Sequence, residues 1–274
     1  MPSVGVLSKA GAAGVTALIA SAMPAADLES WGWRVPFLLA IPLGIVCLIM
    51  RLRIEDSPEF TASKLENKTD EKPFKALMAR HRGPLGQVIV IVTIQNVGTY
   101  LGTVFVAVYF TTVLGFSKAD SSLIILFALV VAALLIPVGG LLGNRIGSKK
   151  VLYYAYAAYA VVTLPSFLLM NQHSVSLAVL GLLVGMIPYI LCQVGTYAAL
   201  TEFFPVQVRH SGVAFGHSVG AVIGGGLSPY LATWLIDATG NTFIPAYILA
   251  GFGVLGIVFL RWVRPNPGGS HLFR

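Results

Sequence analysis

Apolar stretches of about 20 or more residues alternate with short polar connections along most of the chain. A helix of that length crosses the hydrocarbon core of a bilayer, and eight stretches reach it. They are Val4–Met23, Trp31–Leu52, Leu85–Tyr109, Ser121–Gly143, Val151–Met170, Val175–Leu200, Gly212–Ile236 and Phe243–Trp262. We predict helices because a helix satisfies its own backbone hydrogen bonds in lipid, whereas a barrel would give shorter, alternating segments. The pattern therefore predicts an all-α membrane protein with about eight transmembrane helices.

One hydrophilic segment, Ile54–Pro84, separates the first two stretches from the other six. Its acidic and basic residues are mixed, which predicts a solvated linker. Near its end, Phe74, Leu77 and Met78 would share one face of a helix among basic residues, a pattern typical of a short helix on a membrane surface. The predicted parts are two helices in residues 1–53, a linker with an interfacial helix in residues 54–84 and six helices in residues 85–274.

The composition agrees with a lipid environment. Hydrophobic residues make up 56% of the chain and charged residues only 11%, with a mean hydropathy of +0.82, whereas soluble proteins carry about 25% charged residues. The net charge of +7 could suggest nucleic acid, but the basic residues lie between the apolar stretches and indicate topology instead. The expected partners are the bilayer and a small molecule, and no nucleic acid is predicted.

The distribution of Lys and Arg predicts the orientation in the membrane. Fifteen of the 18 basic residues fall on one side, Arg34 and Lys118 fall on the other, and Lys9 lies inside the first stretch. The fifteen are Arg51, Arg53, Lys64, Lys68, Lys72, Lys75, Arg80, Arg82, Arg145, Lys149, Lys150, Arg209, Arg261, Arg264 and Arg274. By the positive-inside rule, both termini and the linker are cytoplasmic. The prediction is a multi-pass protein of the inner, or plasma, membrane.

The connection between the fourth and fifth stretches, residues 140–150 (GLLGNRIGSKK), combines glycine with positive charge. Gly140 and Gly147 would permit close helix approach and a tight turn. Arg145, Lys149 and Lys150 would hold that turn on the cytoplasmic side.

The connection between the sixth and seventh stretches, residues 202–212 (EFFPVQVRHSG), contains a helix stop. Pro205 ends the preceding helix and leaves Glu202 and Arg209 on either side of a short turn. Beyond it, glycines recur every four residues and predict a smooth helix face for close packing. These are Gly212, Gly216, Gly220 and Gly224.

These motifs resemble those of the metabolite:proton symporters in the major facilitator superfamily. Residues 31–37 (WGWRVPF), leading through a span to residues 51–60 (RLRIEDSPEF), are similar to the sixth helix of that family and its exit. Residues 140–150 resemble its loop pattern G-x-x-x-D-R-x-G-x-[RK]-[RK], and residues 202–212 resemble E-x-F-P-x-x-x-R-x-x-G. Asn144 stands where the family usually has Asp and brings no negative charge, which puts a charge-pair gate at that position in doubt.

The resemblance implies a twelve-helix fold built from two six-helix halves, with the eight spans corresponding to helices 5–12. Residues 1–53 would be the last two helices of the N-terminal lobe, and residues 85–274 would be the C-terminal lobe. The first four helices of that fold have no counterpart here. Val4–Met23, which carries Lys9 at membrane depth, is the poorest match, so a truncated or misassigned start is expected.

Polar residues within spans are costly in lipid and usually face a cavity or a neighbouring helix. In the resembled transporters the third and sixth spans would line the central cavity. The substrate-cavity candidates are Gln95, Asn96 and Tyr100 in the third span, Tyr189 and Gln193 in the sixth, and His217 in the seventh. Hydrogen bonding between helices is the alternative role for each of them.

The sequence contains no pattern typical of an enzyme or a metal site. Its five histidines are scattered, no HExxH or CxxC occurs, and no glycine-rich phosphate loop follows a strand. No enzymatic activity, metal or cofactor is predicted. The resemblance implies a proton as the coupling ion.

The function implied by the resemblance is transport of a small organic solute, such as an organic acid, amino acid or betaine, by proton-coupled alternating access. Glu202 is expected to pair with Arg145 or Arg209 in a cytoplasmic gate, with solvated loop charges as the alternative. Two other functions stay open. The chain could be a truncated, non-transporting remnant or part of a split transporter whose other helices come from another chain. It could also be an unrelated channel or scaffold, although this would leave both loop motifs unexplained.

Overall fold

The structure is a computed structural model that describes residues 2–24, 27, 30–53, 73–200 and 202–263. Most of the predicted linker, residues 54–72, lies outside the described residues, as do Arg264 and Arg274. The helices are α1 (Pro2–Ala22), α2 (Val35–Arg53), α3 (Pro73–Arg80), α4 (Arg82–Val113), α5 (Lys118–Ile146), α6 (Ser148–Met170), α7 (Val175–Leu200), α8 (Val206–Ala221), α9 (Leu227–Thr239) and α10 (Ile244–Leu260).

Three segments of these helices are wound as π-helix. They are Tyr100–Phe105 and Tyr109–Val113 within α4, and Val222–Gly226, which joins α8 to α9 in one continuous helix. A π-turn holds one residue more than an α-turn and is frequent at functional sites.

Six helices of the described part are long and apolar enough to cross a membrane. They are α2, with the short 3₁₀ turn Gly32–Arg34 before it, α4, α5, α6, α7 and the continuous α8–α9 helix. Helix α10 is apolar but has only 17 residues, and the 21-residue α1 occupies the first predicted stretch. The described residues form helices and no strand. The prediction of an all-α membrane protein is confirmed.

The boundary that differs most from the prediction is the start of α8. The apolar pattern placed it at Gly212, but the helix begins at Val206, directly after Pro205. Proline fits the start of a helix because the first backbone N–H groups have no partner within the helix. Polar residues in the first turns can extend beyond the lipid, so hydrophobicity alone does not mark this helix end.

A helix is present at the predicted place near the end of the linker, as α3, and it packs on α8. Leu77 is fully buried, and Met78 is half-buried. The ring of Phe74 lies 5.3 Å from the ring of Phe215 in α8 in an edge-to-face arrangement, a geometry that aromatic pairs prefer. The apolar face of α3 is therefore turned toward the helical bundle.

Helix α6 packs against α7 on one side and α10 on another, while α4 packs along α8. Helices α6 and α7 meet where Ser166 donates a hydrogen bond to the carbonyl of Gly181, 2.7 Å away. A Cβ atom on Gly181 would come within 2.7 Å of the Ser166 carbonyl oxygen. This glycine is thus required by the closeness of the two backbones.

At the end of the bundle opposite the two motif loops, three polar side chains connect separate helices. The Tyr109 hydroxyl donates to the carbonyl of Thr242 at 3.0 Å and accepts from the Asn171 amide at 2.7 Å. The Thr242 hydroxyl donates to the Asn171 side-chain oxygen at 3.1 Å. The closed ring of hydrogen bonds ties the end of α4 to the turns that precede α7 and α10.

Candidate functional site

A bridge of two glutamine side chains connects α4 and α7. The Gln95 amide donates to the side-chain oxygen of Gln193, and the Gln193 amide donates to the Tyr189 hydroxyl at 2.9 Å. The Asn96 amide donates both to the Gln95 side-chain oxygen, 3.1 Å away, and to the carbonyl of Val92. Gln95, Asn96, Tyr189 and Gln193 are all buried, so the structure brings four of the six cavity candidates into one network.

Tyr197 belongs to this cluster, although the sequence analysis did not select it. Its hydroxyl lies within reach of the Gln95 side chain, and its ring centroid lies 6.2 Å from that of His217 on α8. Tyr197 follows Gln193 by four residues and so continues the same helix face. That spacing was the signal available in the sequence.

Tyr100 and His217, the remaining candidates, lie at the edge of the network. Tyr100 is the first residue of the first π-segment of α4. Its ring packs on Gly225, where an added Cβ atom would stand 2.5 Å from the nearest ring carbon. The side chains of Tyr100 and Tyr197 are 36% and 38% exposed, unlike the buried amides beside them. The neutral amides of the network thus have the partly exposed Tyr197 beside them, and Tyr100 lies one helical turn from Asn96.

Each glycine of the series in α8 and the following π-segment packs closely against another residue. A Cβ atom on Gly216 would stand 2.6 Å from Val88, one on Gly220 would stand 2.8 Å from Val92, and one on Gly224 would stand 2.2 Å from the Thr93 carbonyl oxygen. These three glycines bring α8 close to α4. Gly212 instead packs on the ring of Phe204, which would lie 2.8 Å from a Cβ atom added to Gly212.

The loop at residues 140–150 is a sharp turn between α5 and α6. Gly147 adopts a φ of +89° there, a conformation that residues other than glycine rarely adopt. Arg145 is exposed in the last turn of α5, and Lys149 and Lys150 lie in the first turn of α6. The side chain of Asn144 lies outside the described part of the structure.

The close helix approach expected at Gly140 occurs on a neighbouring face of α5. A Cβ atom on Gly140 would meet no atom within 4 Å, whereas atoms on Gly139 and Gly143 would stand 3.2 and 3.1 Å from Val194 of α7. The rotation of α5 about its axis decides which glycine faces the neighbour, and the rotation depends on packing that the loop motif does not encode.

The loop at residues 202–212 meets the first motif loop through a buried carboxylate. Glu202 is 6% exposed, and its Oε1 accepts a hydrogen bond from the Ser148 hydroxyl at 3.2 Å. Ser148 is the first residue of α6, so the carboxylate lies at a helix N-terminus, where the helix dipole favours negative charge. Arg209 donates from Nε to the carbonyl of Phe204 within its own loop, and Pro205 is the N-cap of α8.

The described residues include no group of three or more His, Cys, Asp or Glu side chains arranged to hold a metal ion. The side chains of the cluster between α4 and α7 present hydrogen-bonding groups and aromatic rings.

Comparison with known proteins gives consistent matches. The sequence profile of the Major Facilitator Superfamily matches residues 8–222. The proline/betaine transporter of Escherichia coli K12 is 33% identical over 258 residues, which cover 90% of this chain and 51% of that protein. The ectoine/proline transporter ProP of Corynebacterium glutamicum is 32% identical over 247 residues, covering 86% of this chain and 49% of the relative. The chain thus spans about half the length of the curated relatives it matches.

Among solved structures, the crystal structure of a D-xylose-proton symporter superposes with a TM-score of 0.65. The match covers 98% of this chain and 62% of the symporter, at 16% sequence identity. At that identity, the likeness concerns the fold alone.

Proposed function

Because the chain belongs to the major facilitator superfamily, we propose that it transports a small zwitterionic solute of the proline or betaine kind across a cell membrane. The mechanism proposed is alternating access coupled to protons. Its relatives support the substrate class, since their names specify proline, betaine and ectoine. The symporter fold neighbour is compatible with proton coupling.

One structural observation supports the substrate class: the partly exposed Tyr197 lies beside the buried amide of Gln95, and the partly exposed Tyr100 lies one helical turn from the buried Asn96. Proline and betaine each combine a positively charged nitrogen with a carboxylate. Aromatic faces attract such cations, and quaternary ammonium groups are commonly bound by aromatic cages. Amide N–H groups are suitable donors for a carboxylate. These uncharged residues fit a solute that carries both charges itself.

We propose the same domain organisation and topology as the sequence predicts. Residues 1–53 would belong to an N-terminal lobe and residues 85–274 would form the C-terminal lobe, with the linker and both termini cytoplasmic in the inner membrane. Impermeant thiol labelling of single cysteines placed at the exposed Lys75 and Gln172 tests the topology, since only position 172 should react from outside.

The decisive experiment measures solute binding and uptake separately. Purified chain in detergent should bind labelled glycine betaine or proline in preference to a dicarboxylate of similar size. Reconstituted vesicles should accumulate the same solute when the outside is made acidic, and a proton ionophore should abolish the accumulation. Absence of binding for every zwitterion tried would overturn the substrate class. Binding without uptake by the chain alone would leave the substrate class standing and require further helices for transport.

Tyr100 provides the sharpest variant for the binding assay. Tyr100→Phe keeps the aromatic face and should bind a betaine nearly as well as the native chain. Tyr100→Leu removes that face and should weaken binding about fivefold to thirtyfold, which corresponds to about 1–2 kcal/mol of cation–π energy. Tyr230→Leu is the matched control because Tyr230 is a 65% exposed tyrosine on α9. Equal binding by the Phe and Leu variants of Tyr100 would remove this ring from the site.

A further inference from the structure

A cavity of about 450 Å³ opens between the start of α6 and the end of α10. Its lining consists of Lys149, Lys150, Tyr153, Ile257, Leu260 and Arg261. Half of these residues are cations, no acidic residue is among them, and the others present apolar or aromatic surface. The cavity is separate from the glutamine bridge, because none of its lining residues belongs to that network.

The packing of α10 on α6 explains why the helices separate at this point. Toward the middle of the membrane, α10 presents glycines to α6: a Cβ atom on Gly253 would stand 2.7 Å from the Tyr156 carbonyl oxygen, and one on Gly256 would stand 2.5 Å from the Tyr156 ring. The next turn of α10 carries Ile257, Leu260 and Arg261 instead, and these side chains need more room than glycine. Tight contact thus gives way to an opening at the helix ends.

Several residues place the opening at the depth of the lipid headgroups. Lys149 and Lys150 lie in the first turn of the membrane-spanning α6, and Arg261 directly follows the last residue of α10. Trp262, 73% exposed, comes next, and Tyr154, 54% exposed, follows the lining residue Tyr153. Tryptophan and tyrosine concentrate at membrane interfaces, where their rings are apolar and their polar atoms reach water.

We infer that this cavity binds the phosphate-bearing headgroup of an anionic phospholipid. Ammonium and guanidinium groups from two helices converge on one opening, and such groups bind phosphate oxygens with charge-assisted hydrogen bonds. Lys149 also donates to the carbonyl of Val263 at 3.4 Å, which holds its ammonium group near the end of α10. Ile257, Leu260 and the Tyr153 ring provide apolar contact for the glycerol and the first part of an acyl chain. Basic openings between membrane helices are known to hold anionic headgroups.

The volume and the apolar part of the lining both favour this occupant over a soluble anion. Cavities of about 300–1,000 Å³ hold drug-sized ligands, so the space exceeds the need of inorganic phosphate alone. A free phosphate would also leave the apolar lining without a partner. The inference requires that the chain lies in a membrane and does not depend on what it transports.

Native mass spectrometry of the purified chain provides the test. The protein is released from micelles that contain equal amounts of phosphatidylglycerol and phosphatidylcholine, and the lipid that stays bound is counted. Phosphatidylglycerol should be retained preferentially by the native chain. Lys149→Gln/Lys150→Gln/Arg261→Gln should weaken its retention about 100-fold or more, since it removes three charge-assisted hydrogen bonds to the bound headgroup and each contributes about fivefold or more. The single variant Arg261→Gln, at an exposed position, should weaken it about fivefold without endangering the fold.

The matched control is Arg51→Gln/Arg53→Gln/Arg80→Gln, which removes three exposed cations from other helix ends. It should retain phosphatidylglycerol as the native chain does. Equal loss in the two triple variants would overturn the inference, because the preference would then reflect overall charge. Inorganic phosphate at about 10 mM should leave the bound lipid in place. If the phosphate displaces the lipid, the inference is overturned in favour of a soluble anion. Unchanged retention by the first triple variant would overturn it as well.

Discussion

The Gln95–Gln193 hydrogen bond sets the character of the candidate site at the scale of single residues. Each amide both donates and accepts, so one pair of side chains can satisfy itself between two helices and can also exchange partners with a ligand. In this structure the amides satisfy each other and Tyr189. Both roles that the sequence left open, substrate contact and hydrogen bonding between helices, can therefore belong to the same atoms in different states.

A double-mutant cycle measures the bridge directly. Gln95→Leu and Gln193→Leu should each lower the free energy of unfolding, because each leaves a buried amide without its partner, at a cost of about 1–3 kcal/mol. The coupling energy between the two should be about 1 kcal/mol, as for hydrogen bonds between membrane helices. Unfolding in detergent, followed by circular dichroism, provides the free energies. Gln172, which is exposed in a turn, should show no coupling to Gln193, and a coupling of zero between Gln95 and Gln193 would refute the bridge.

At the scale of helices, the glycines of α8 and of the π-segment after it determine how closely the bundle can pack. The sequence predicted this glycine face from its four-residue spacing, and the structure directs Gly216, Gly220 and Gly224 at α4. It could not predict the π-segments, since an extra residue in a helical turn has no mark in composition or periodicity. The sequence also could not predict that Gly139 rather than Gly140 faces α7. The rotation of α5 about its axis decides this, and that rotation depends on packing against neighbouring helices.

Gly224 and Gly226 lie in the same π-segment and form a matched pair for alanine substitution. A Cβ atom on Gly224 would stand 2.2 Å from the Thr93 carbonyl oxygen, whereas one on Gly226 would meet nothing within 4 Å. Gly224→Ala should therefore destabilise the fold by about 3 kcal/mol, at the upper end of overpacking costs. Gly226→Ala should leave the unfolding temperature unchanged or raise it, since alanine is the better helix former. Equal melting of the two variants in detergent would show that α8 and α4 do not approach as closely as described.

At the scale of the whole molecule, the helices differ in the share of their residues that is buried by the rest of the chain. In the most apolar part of α4, 67% of the residues are buried, whereas in that of α2 none is. The all-α membrane fold was predictable because an apolar stretch of sufficient length has few alternatives in a membrane. The hydrogen bond between Ser148 and Glu202 was not predictable, because it joins two loops whose approach depends on the packing of α6 and α7.

The contact between the two motif loops leads to a prediction about the conformational equilibrium of a full-length transporter. We propose that the Glu202 charge stabilises the state closed to the cytoplasm, through the N-terminus of α6 and through Arg145 or Arg209. Glu202→Gln should then shift the population toward the inward-open state about fivefold, because a contact of about 1 kcal/mol formed in one state moves the equilibrium by its full value. Alkylation of a cysteine at Ser218, with Cys47 and Cys192 replaced, would report the change.

Two further variants separate the sources of that effect. Ser148→Ala removes the hydroxyl that Glu202 accepts from but keeps the charge, so it should change cysteine reactivity less than Glu202→Gln. Transport restored by Glu202→Arg with Arg145→Glu, but not by Glu202→Arg with Arg209→Glu, would identify Arg145 as the partner. If Glu202→Gln changes neither transport nor cysteine reactivity, the two loops serve only to set topology.

The π-turn between α8 and α9 also bears on how such a helix can change in length. Removing one residue from a regular α-helix rotates everything that follows by about 100°, which would carry Ser228 and Ala232 away from their buried positions. A π-turn already contains one surplus residue, so deletion of Gly226 can convert it to an α-turn while the residues beyond keep their facing. After such a deletion, insertion of one residue at the same position would restore the π-turn. A single-residue deletion that would misalign a regular helix can therefore be accommodated here without rotating α9 relative to the bundle.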